Sequence, residues 1–370
     1  MSGSGVFTPA ESITNEELVS SFNTFVRHYN DIHAAAIDGG SVTRLLESSC
    51  EFIVKASGIK HRYVLDKTGI LDPELMCPRI AERPDDRISV MAEIAAAAAG
   101  AALADAEKKP ADIDAVIVSC ANLQRAYPAV SIEVQDALGI DGFAFDMNVG
   151  CSSATYAMQV AAGMIRSGDA RAILICNPEI LTAHVDFRDR DCHFIFGDAA
   201  SAFVVERAEQ VRAPNSWQLI SSRMKSRFSN NIRNNFGFLN RAAPEGIGKR
   251  DKLFTQRGRK VFKEVTPLVS DFVIEHLKAE GLRPSSLRRM WLHQANLNMN
   301  QLIAHKVLGR DATPDEAPTV LDEYANTSSA GAMIAFNRYS ADLKPGDIGL
   351  LCTFGAGYSA GSVLLRKMAV

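Results

Sequence analysis

The chain has 370 residues, 47% of them hydrophobic and 22% charged, enough for two or three domain-sized units around a sizeable core. Its formal net charge of -3 excludes a general attraction to nucleic acid or to an anionic membrane. Seven cysteines are scattered with no Cys-x-x-Cys pair, which argues against a disulfide framework or zinc ribbon and fits a reducing cytoplasm.

Residues 1–9 lack a basic region followed by an apolar core, so no signal peptide is expected. Residues 16–37 read as a helix with Leu18, Phe22, Phe25 and Val26 on one face, and residues 41–57 as another. The run 92–106 is mostly alanine and carries Glu93 and Asp105. It is too short and too weakly lipophilic to span a bilayer and reads as a buried helix. The first 80 residues lie outside the repeat that follows. Residues 115–120 and 143–147 read as strands, with a small-residue helix opening at Cys151. Residues 172–176 and 202–206 are further apolar strands. Residues 226–259, rich in Asn, Arg and Gly, read as a long surface connection.

A weak internal duplication organises the rest. Ala121-Asn122-Leu123 recurs as Ala295-Asn296-Leu297, and Cys151-Ser152-Ser153-Ala154 as Thr327-Ser328-Ser329-Ala330. Ser167-Gly168-Asp169 before one strand matches Pro345-Gly346-Asp347 before another. The three pairs are collinear at a nearly constant offset, which implies two similar α/β halves, 1–210 and 211–370. The helices after Ser152 and Ser328 are rich in Ala, Gly and Ser, so they are expected to pack together between two sheets.

Gly150 supplies a turn that leaves Cys151 at a helix N-terminus. Unpaired N–H groups and the helix dipole there favour a thiolate, and the same N–H groups can stabilise an oxyanion. A packed core cysteine is the alternative, but the equivalent place in the other half holds Thr327, so the scaffold itself does not require cysteine. By the repeat, His293 and Asn326 also fall at strand C-termini, where sites of open α/β sheets assemble. A neutral imidazole and a carboxamide donate hydrogen bonds without adding charge, which suits a carbonyl turning into an enolate. Their bland alternatives are a structural histidine and a helix-capping asparagine.

Gly150-Cys-Ser-Ser-Ala154, His293-Gln-Ala-Asn-Leu297, Asn326-Thr-Ser-Ser-Ala330, Phe196-Gly-Asp-Ala-Ala200 and Phe354-Gly-Ala-Gly-Tyr-Ser359 together resemble the 3-ketoacyl-acyl-carrier-protein synthase III family. The resemblance runs in order from about residue 50 to the C-terminus. It implies a thiolase-like five-layered αβαβα fold, a homodimer and catalytic Cys151, His293 and Asn326, with neither metal nor redox cofactor. Cys151 would take an acyl group from acyl-CoA. His293 and Asn326 would stabilise the enolate left when malonyl-acyl-carrier-protein loses carbon dioxide. That carbanion would attack the acyl-cysteine and release 3-ketoacyl-acyl-carrier-protein for fatty acid biosynthesis. The implied oxyanion hole is the backbone N–H of Cys151 and of Ala356, where the family usually has Gly. An alanine serves there only if its dihedrals suit a side chain.

Further residues carry over from the same resemblance. Phe52 matches a Trp stacked on adenine, although the arginine of that motif is Ala56 here. Tyr127 matches an aromatic residue that crosses the dimer interface and closes the acyl pocket, with plain interface packing as the alternative. Phe262 and Lys263 resemble a segment lining the pantetheine channel. Lys263, Lys306 and Arg310 could receive an acidic carrier protein or be ordinary solvated surface. The N-terminal segment resembles a longer subgroup that makes 3-ketodecanoyl products from a medium-chain primer such as octanoyl-CoA. Acetyl-CoA priming, or a quinolone- or polyketide-type condensation, is the alternative within the superfamily.

Other classes fit less well. A papain-like hydrolase also uses Cys, His and Asn, but Cys151 lacks the Cys-Gly-Ser-Cys-Trp context and that fold does not duplicate. Asp186, Asp189, Asp191, Cys192 and His193 crowd one loop without metal-ligand spacing on regular elements. Gly355, Gly357 and Gly361 lie too near the chain end for a dinucleotide-binding βαβ unit. A non-catalytic scaffold would have little reason to carry all three site residues.

Overall fold

The apolar runs become strands buried on both faces, and the small-residue runs become helices between them. The computed structural model of the chain describes residues 1–235 and 237–369. The first part contains β1 (Gly3–Phe7), β2 (Glu11–Thr14), α1 (Asn15–Ile32), α2 (Ala34–Asp38), α3 (Cys50–Ser57) and β3 (His61–Val64). It continues through α4 (Lys67–Leu71), α5 (Val90–Asp105), β4 (Ala115–Ser119), α6 (Val130–Leu138), β5 (Phe143–Met147), α7 (Ser153–Ser167), β6 (Ala172–Glu179) and β7 (Ala199–Glu206). The second part contains β8 (Trp217–Ser229), β9 (Ile232–Arg233), β10 (Thr255–Gln256), α8 (Gly258–Ala279) and β11 (Leu287–Leu292). It ends with α9 (Leu297–Leu308), α10 (Leu321–Tyr324), α11 (Ser328–Arg338), β12 (Ile348–Gly355) and β13 (Gly357–Lys367).

Two sheets share one wiring. The first has the order β1-β7-β6-β4-β5, with β4 parallel to β5 and β6, and β7 antiparallel to β6 and β1. The second has the order β8-β13-β12-β11, with β11 parallel to β12 and the remaining pairs antiparallel. Helices α7 and α11 touch each other and strands of both sheets, so they form the central layer. Helices α5 and α6 cover the outer face of the first sheet, and α8 and α9 that of the second. The result is a five-layered αβαβα sandwich. Its central core draws on both halves and includes Trp217, Trp291 and Phe336 of the second, whose rings meet edge-on at centroid distances of 4.8 to 5.7 Å.

Five expectations are corrected. The repeat begins at residue 3, because β1 takes the same edge in the first sheet that β8 takes in the second. It gave no hydrophobic signal because Gly3 and Gly5 lie against the backbone of α5. A Cβ there would fall 2.4 and 2.3 Å from main-chain atoms of that helix. The helix expected over 16–37 breaks at His33, which lies between α1 and α2. Of 41–57 only Cys50–Ser57 is helical; Asn30 and Asn23 pin the preceding extended segment by accepting from Leu45 N and Ser48 N. The second sheet has no counterpart of β5. Asn326 follows the single turn α10 and makes one isolated bridge to Phe196 in place of a strand.

Residues 226–259 are only partly a connection. Strand β8 runs on to Ser229, and β9 pairs with β10 beside the cavities described next.

Candidate active site

Cys151 comes after β5 and Gly150, whose φ of +57° makes the turn, and immediately before Ser152 and α7. His293 directly follows β11, and its N–H donates to the carbonyl of Cys352 on the neighbouring strand at 2.8 Å. Asn300, one turn into α9, donates Nδ2 to the His293 carbonyl at 2.8 Å. Gln294 holds the same corner: its Nδ-equivalent amide, Nε2, donates to Leu292 O, and its Oε1 accepts from Val320 N at 2.9 Å. Phe354 packs edge-on against the imidazole at 5.2 Å.

Asn326 is held by its main chain, with its N–H on Ile195 O at 2.9 Å. Its Oδ1 accepts from Ser328 N at 2.8 Å, so the capping role and a functional one coexist: Nδ2 remains the donor available to a ligand. Ala325 and Ser328 have φ of +54° and +47°, a bend that non-glycine residues adopt only at a cost.

Two cavities meet at Cys151. One of about 630 Å³ is lined by Phe52, Phe262, His293, Asn326, Phe354 and Gly355. The other, of about 670 Å³, is lined by Ala121, Val149, Leu181, His184 and Tyr358. Cys151, Phe196, Ile232 and Phe254 face both. A thiol at such a junction can receive one group from the first cavity and leave it in the second.

Burial dominates the electrostatics. It pushes the Cys151 thiol up to about 11, against the pull of the Ser328 hydroxyl and the main-chain N–H groups of Ala356 and Cys151. It pushes His293 down to about 4, so the imidazole is neutral at neutral pH, opposed only by the Ser328 main chain. Ala356 is not among the non-glycine residues with positive φ in the described chain, so alanine presents this N–H without strain.

The residues singled out in the sequence fall into two groups. Cys151, His293, Asn326, Phe52 and Phe262 come together around the first cavity. Tyr127 is 85% exposed and lines neither cavity. Lys263 is exposed on α8 outside the cavity lining. Lys306 is exposed on α9, whereas Arg310 is committed to Glu316 at 2.6 Å. In the acidic loop, Arg250 pairs with both Asp186 and Asp189, and His193 Nδ1 meets Arg190 O at 2.9 Å.

Sequence reading missed two features. The Arg190 guanidinium lies 4.0 Å over the Phe52 ring, anchored by donating Nε to Glu47 O at 2.8 Å. The N-terminal segment builds this corner. Phe22 of α1 stacks on His193 at 4.4 Å, and Phe194 meets Phe52 edge-on at 5.7 Å. The second feature is Glu179, fully buried at the end of β6; the acid closing a strand that opens on five apolar residues was its only signal.

A five-layered αβαβα sandwich with a cysteine at the head of its central helix is the thiolase fold. Residues 145–227 match the model for 3-oxoacyl-[acyl-carrier-protein] synthase III, and residues 277–367 match the model for its C-terminal part. The chain is 59% identical to the β-ketodecanoyl-[acyl-carrier-protein] synthase of Pseudomonas aeruginosa PAO1, over 94% of this chain and 100% of that one. It is 30% identical to the β-ketoacyl-[acyl-carrier-protein] synthase III of Agrobacterium fabrum, over 87% and 92% of the two chains. The crystal structure of the Aquifex aeolicus synthase III superposes with a TM-score of 0.76 at 25% identity, covering 98% of both chains. The chain belongs to the 3-oxoacyl-[acyl-carrier-protein] synthase III family.

Proposed function

We propose that this protein condenses a medium-chain acyl-CoA with malonyl-acyl-carrier-protein, releasing carbon dioxide and a 3-ketoacyl-acyl-carrier-protein for fatty acid synthesis. The observation that carries this reading is the position of Cys151 where two cavities meet, one of them lined by His293 and Asn326. The chain length follows the Pseudomonas relative, whose name describes a ten-carbon product. A step that adds two carbons reaches that length from an eight-carbon primer.

Cys151 is the nucleophile, and the N–H groups of Cys151 and Ala356 receive the oxyanion of its acyl adduct. The malonyl thioester then takes the first cavity. Neutral His293 and Asn326 Nδ2 donate to its carbonyl as the carboxylate leaves, and the carbanion attacks the acyl group. In this reading Phe52 and the Arg190 stacked on it hold the flat ring of the CoA adenine and Phe262 flanks the pantetheine arm, supported by Phe52 and Phe262 in the lining of the first cavity. Lys263 and Lys306 remain available to an acidic carrier protein.

We read the chain as two halves meeting near residue 210, the first carrying Cys151 and the second His293 and Asn326. It works as a homodimer in the cytoplasm. Support for dimerisation comes from the outer edge of β5, which has one strand neighbour, and from exposed Phe143, Ile132 and Tyr127 nearby. No helix among the described residues is long and apolar enough to cross a membrane.

Intact-mass measurement after mixing with octanoyl-CoA or acetyl-CoA tests the reading, with Cys151→Ala as control. An octanoyl adduct on the wild type alone supports it. An acetyl adduct alone overturns the medium-chain assignment, and no adduct from either overturns the nucleophile.

A further inference from the structure

Four side chains face both cavities, and besides Cys151 they are Phe196, Ile232 and Phe254. Phe196 is tied to the site by its bridge to Asn326. Ile232 and Phe254 are carried by the β9–β10 hairpin ladder, which has only two residue pairs and lies outside both large sheets. A two-stranded pair that short does not hold itself in place. Half of the wall between the cavities therefore depends on anchors elsewhere.

Phe254 has two: its N–H donates to His184 O at 2.8 Å, and its ring meets Phe196 edge-on at 4.8 Å. Ile232 is held through the residue before it. The carbonyl of Asn231 accepts from Arg257 N, just ahead of α8, at 2.8 Å. Asn231 Nδ2 donates to the Tyr358 hydroxyl at 2.9 Å and to Glu264 Oε2 at 3.0 Å. The Tyr358 hydroxyl donates to the same Glu264 oxygen at 3.0 Å. The three side chains close a triangle that ties the start of β9 to α8 and β13 together.

Each member suits its place. The amide has two N–H groups to give, the hydroxyl accepts one and gives one, and the carboxylate only accepts. Tyr358 is 3% exposed and belongs to the apolar core under α8, so its hydroxyl would be costly to bury without these partners. A phenylalanine ring would fill the same space; what the hydroxyl adds is the latch.

We propose that Ile232 limits the length of acyl chain the enzyme accepts, and that Asn231, Tyr358 and Glu264 hold it in position. The inference rests on the reading above, in which Cys151 carries the acyl group and the chain extends into the second cavity, of about 670 Å³. A tail too long for that cavity runs against Ile232 and Phe254, and room for it comes only by displacing β9. Ile232 touches the chain and sets specificity. Asn231 and Glu264 line neither cavity and are positioning residues that act through Ile232. Tyr358 lines the second cavity as well, so Tyr358→Phe is the informative change there: it keeps the ring and removes the hydroxyl.

The test is the second-order rate constant for acyl-Cys151 formation from acetyl-, octanoyl- and dodecanoyl-CoA, followed by intact mass. The wild type should favour octanoyl over dodecanoyl. Ile232→Ala should raise the dodecanoyl-to-octanoyl ratio about 10-fold, since a pocket wall discriminates by the methylenes it excludes. Tyr358→Phe, Asn231→Ala and Glu264→Ala should each raise it about 3-fold or more through the loosened wall. Glu264→Gln still offers an oxygen to both donors and should recover most of the wild-type ratio. Melting temperatures separate this from simple loss of stability: latch variants that melt earlier yet keep the wild-type ratio overturn the positioning role. An unchanged ratio in Ile232→Ala, whose latch is intact, overturns the wall itself. A wild type that takes no acyl group from any of the three overturns the function proposed above, and this inference with it.

Discussion

Gly355 lies directly against Cys151: a Cβ at position 355 would stand 2.7 Å from the Cys151 Cβ and 2.9 Å from its sulfur. The strand β12 thus ends on Cys151 with only backbone between them, and the next residue, Ala356, turns its N–H toward the thiol. Gly355→Ala should displace the sulfur from the cavity junction. We expect acyl-adduct formation to fall at least 10-fold and stability by about 1–3 kcal/mol, measured by intact mass and chemical denaturation. Wild-type acylation in this variant would show that the close approach has no functional consequence.

Asn326→Asp separates the two half-reactions. The carboxylate still accepts from Ser328 N, where Asn326 Oδ1 does so at 2.8 Å, so the turn into α11 should persist. It removes the Nδ2 donor and adds a negative charge where the proposed mechanism forms an enolate. Octanoyl loading of Cys151 should survive, while decarboxylation of malonyl-acyl-carrier-protein drops about 100- to 1000-fold. Equal loss of both half-reactions would count against the role given to Asn326.

Arg190→Ala tests the cavity mouth. The guanidinium covers the Phe52 ring at 4.0 Å and touches none of Cys151, His293 or Asn326 through any hydrogen bond. KM for octanoyl-CoA should rise about 10-fold with kcat nearly unchanged, since binding is lost equally in ground and transition states. A fall in kcat with constant KM would contradict this placement.

Stability should depend on pH in a stated direction. Burial holds His193 near 3, His276 near 4 and His293 near 4, and lowers His184. Unfolding raises these toward the ordinary value near 6.5, so between 6.5 and 4 the unfolded chain binds more protons and stability falls as pH falls. Each fully buried histidine contributes up to about 1.4 kcal/mol per pH unit in that window. Glu179 and Asp198, raised by burial, act in the opposite sense and offset part of the loss. Calorimetry should find a lower melting temperature at pH 5 than at pH 7; a higher one would mean the buried acids outweigh the histidines.

Local and periodic information was legible in the chain. The apolar runs at β4, β6, β7 and β12 read as buried strands because they exceed what a half-exposed strand carries. The Ala-, Gly- and Ser-rich openings of α7 and α11 announced a tight central layer, and their duplication announced two matching halves. Cys151 and His293 stood out as candidates because each lies in a short motif between a strand and a helix, and Asn326 because its motif repeats that of Cys151, although a single helical turn and not a strand leads into it. Strand β1 was not, since Gly3 and Gly5 carry no hydrophobic period and take their place only when α5 packs on them. The same holds for Arg190 over Phe52, where residues far apart in the chain meet. Glu179 illustrates the divide most clearly: an acid at the end of a strand is unremarked in one dimension. Its properties follow from burial, opposed by the hydrogen bonds it accepts from Ala121 and Ser329, one from each half, and no local pattern encodes how much water three dimensions will remove.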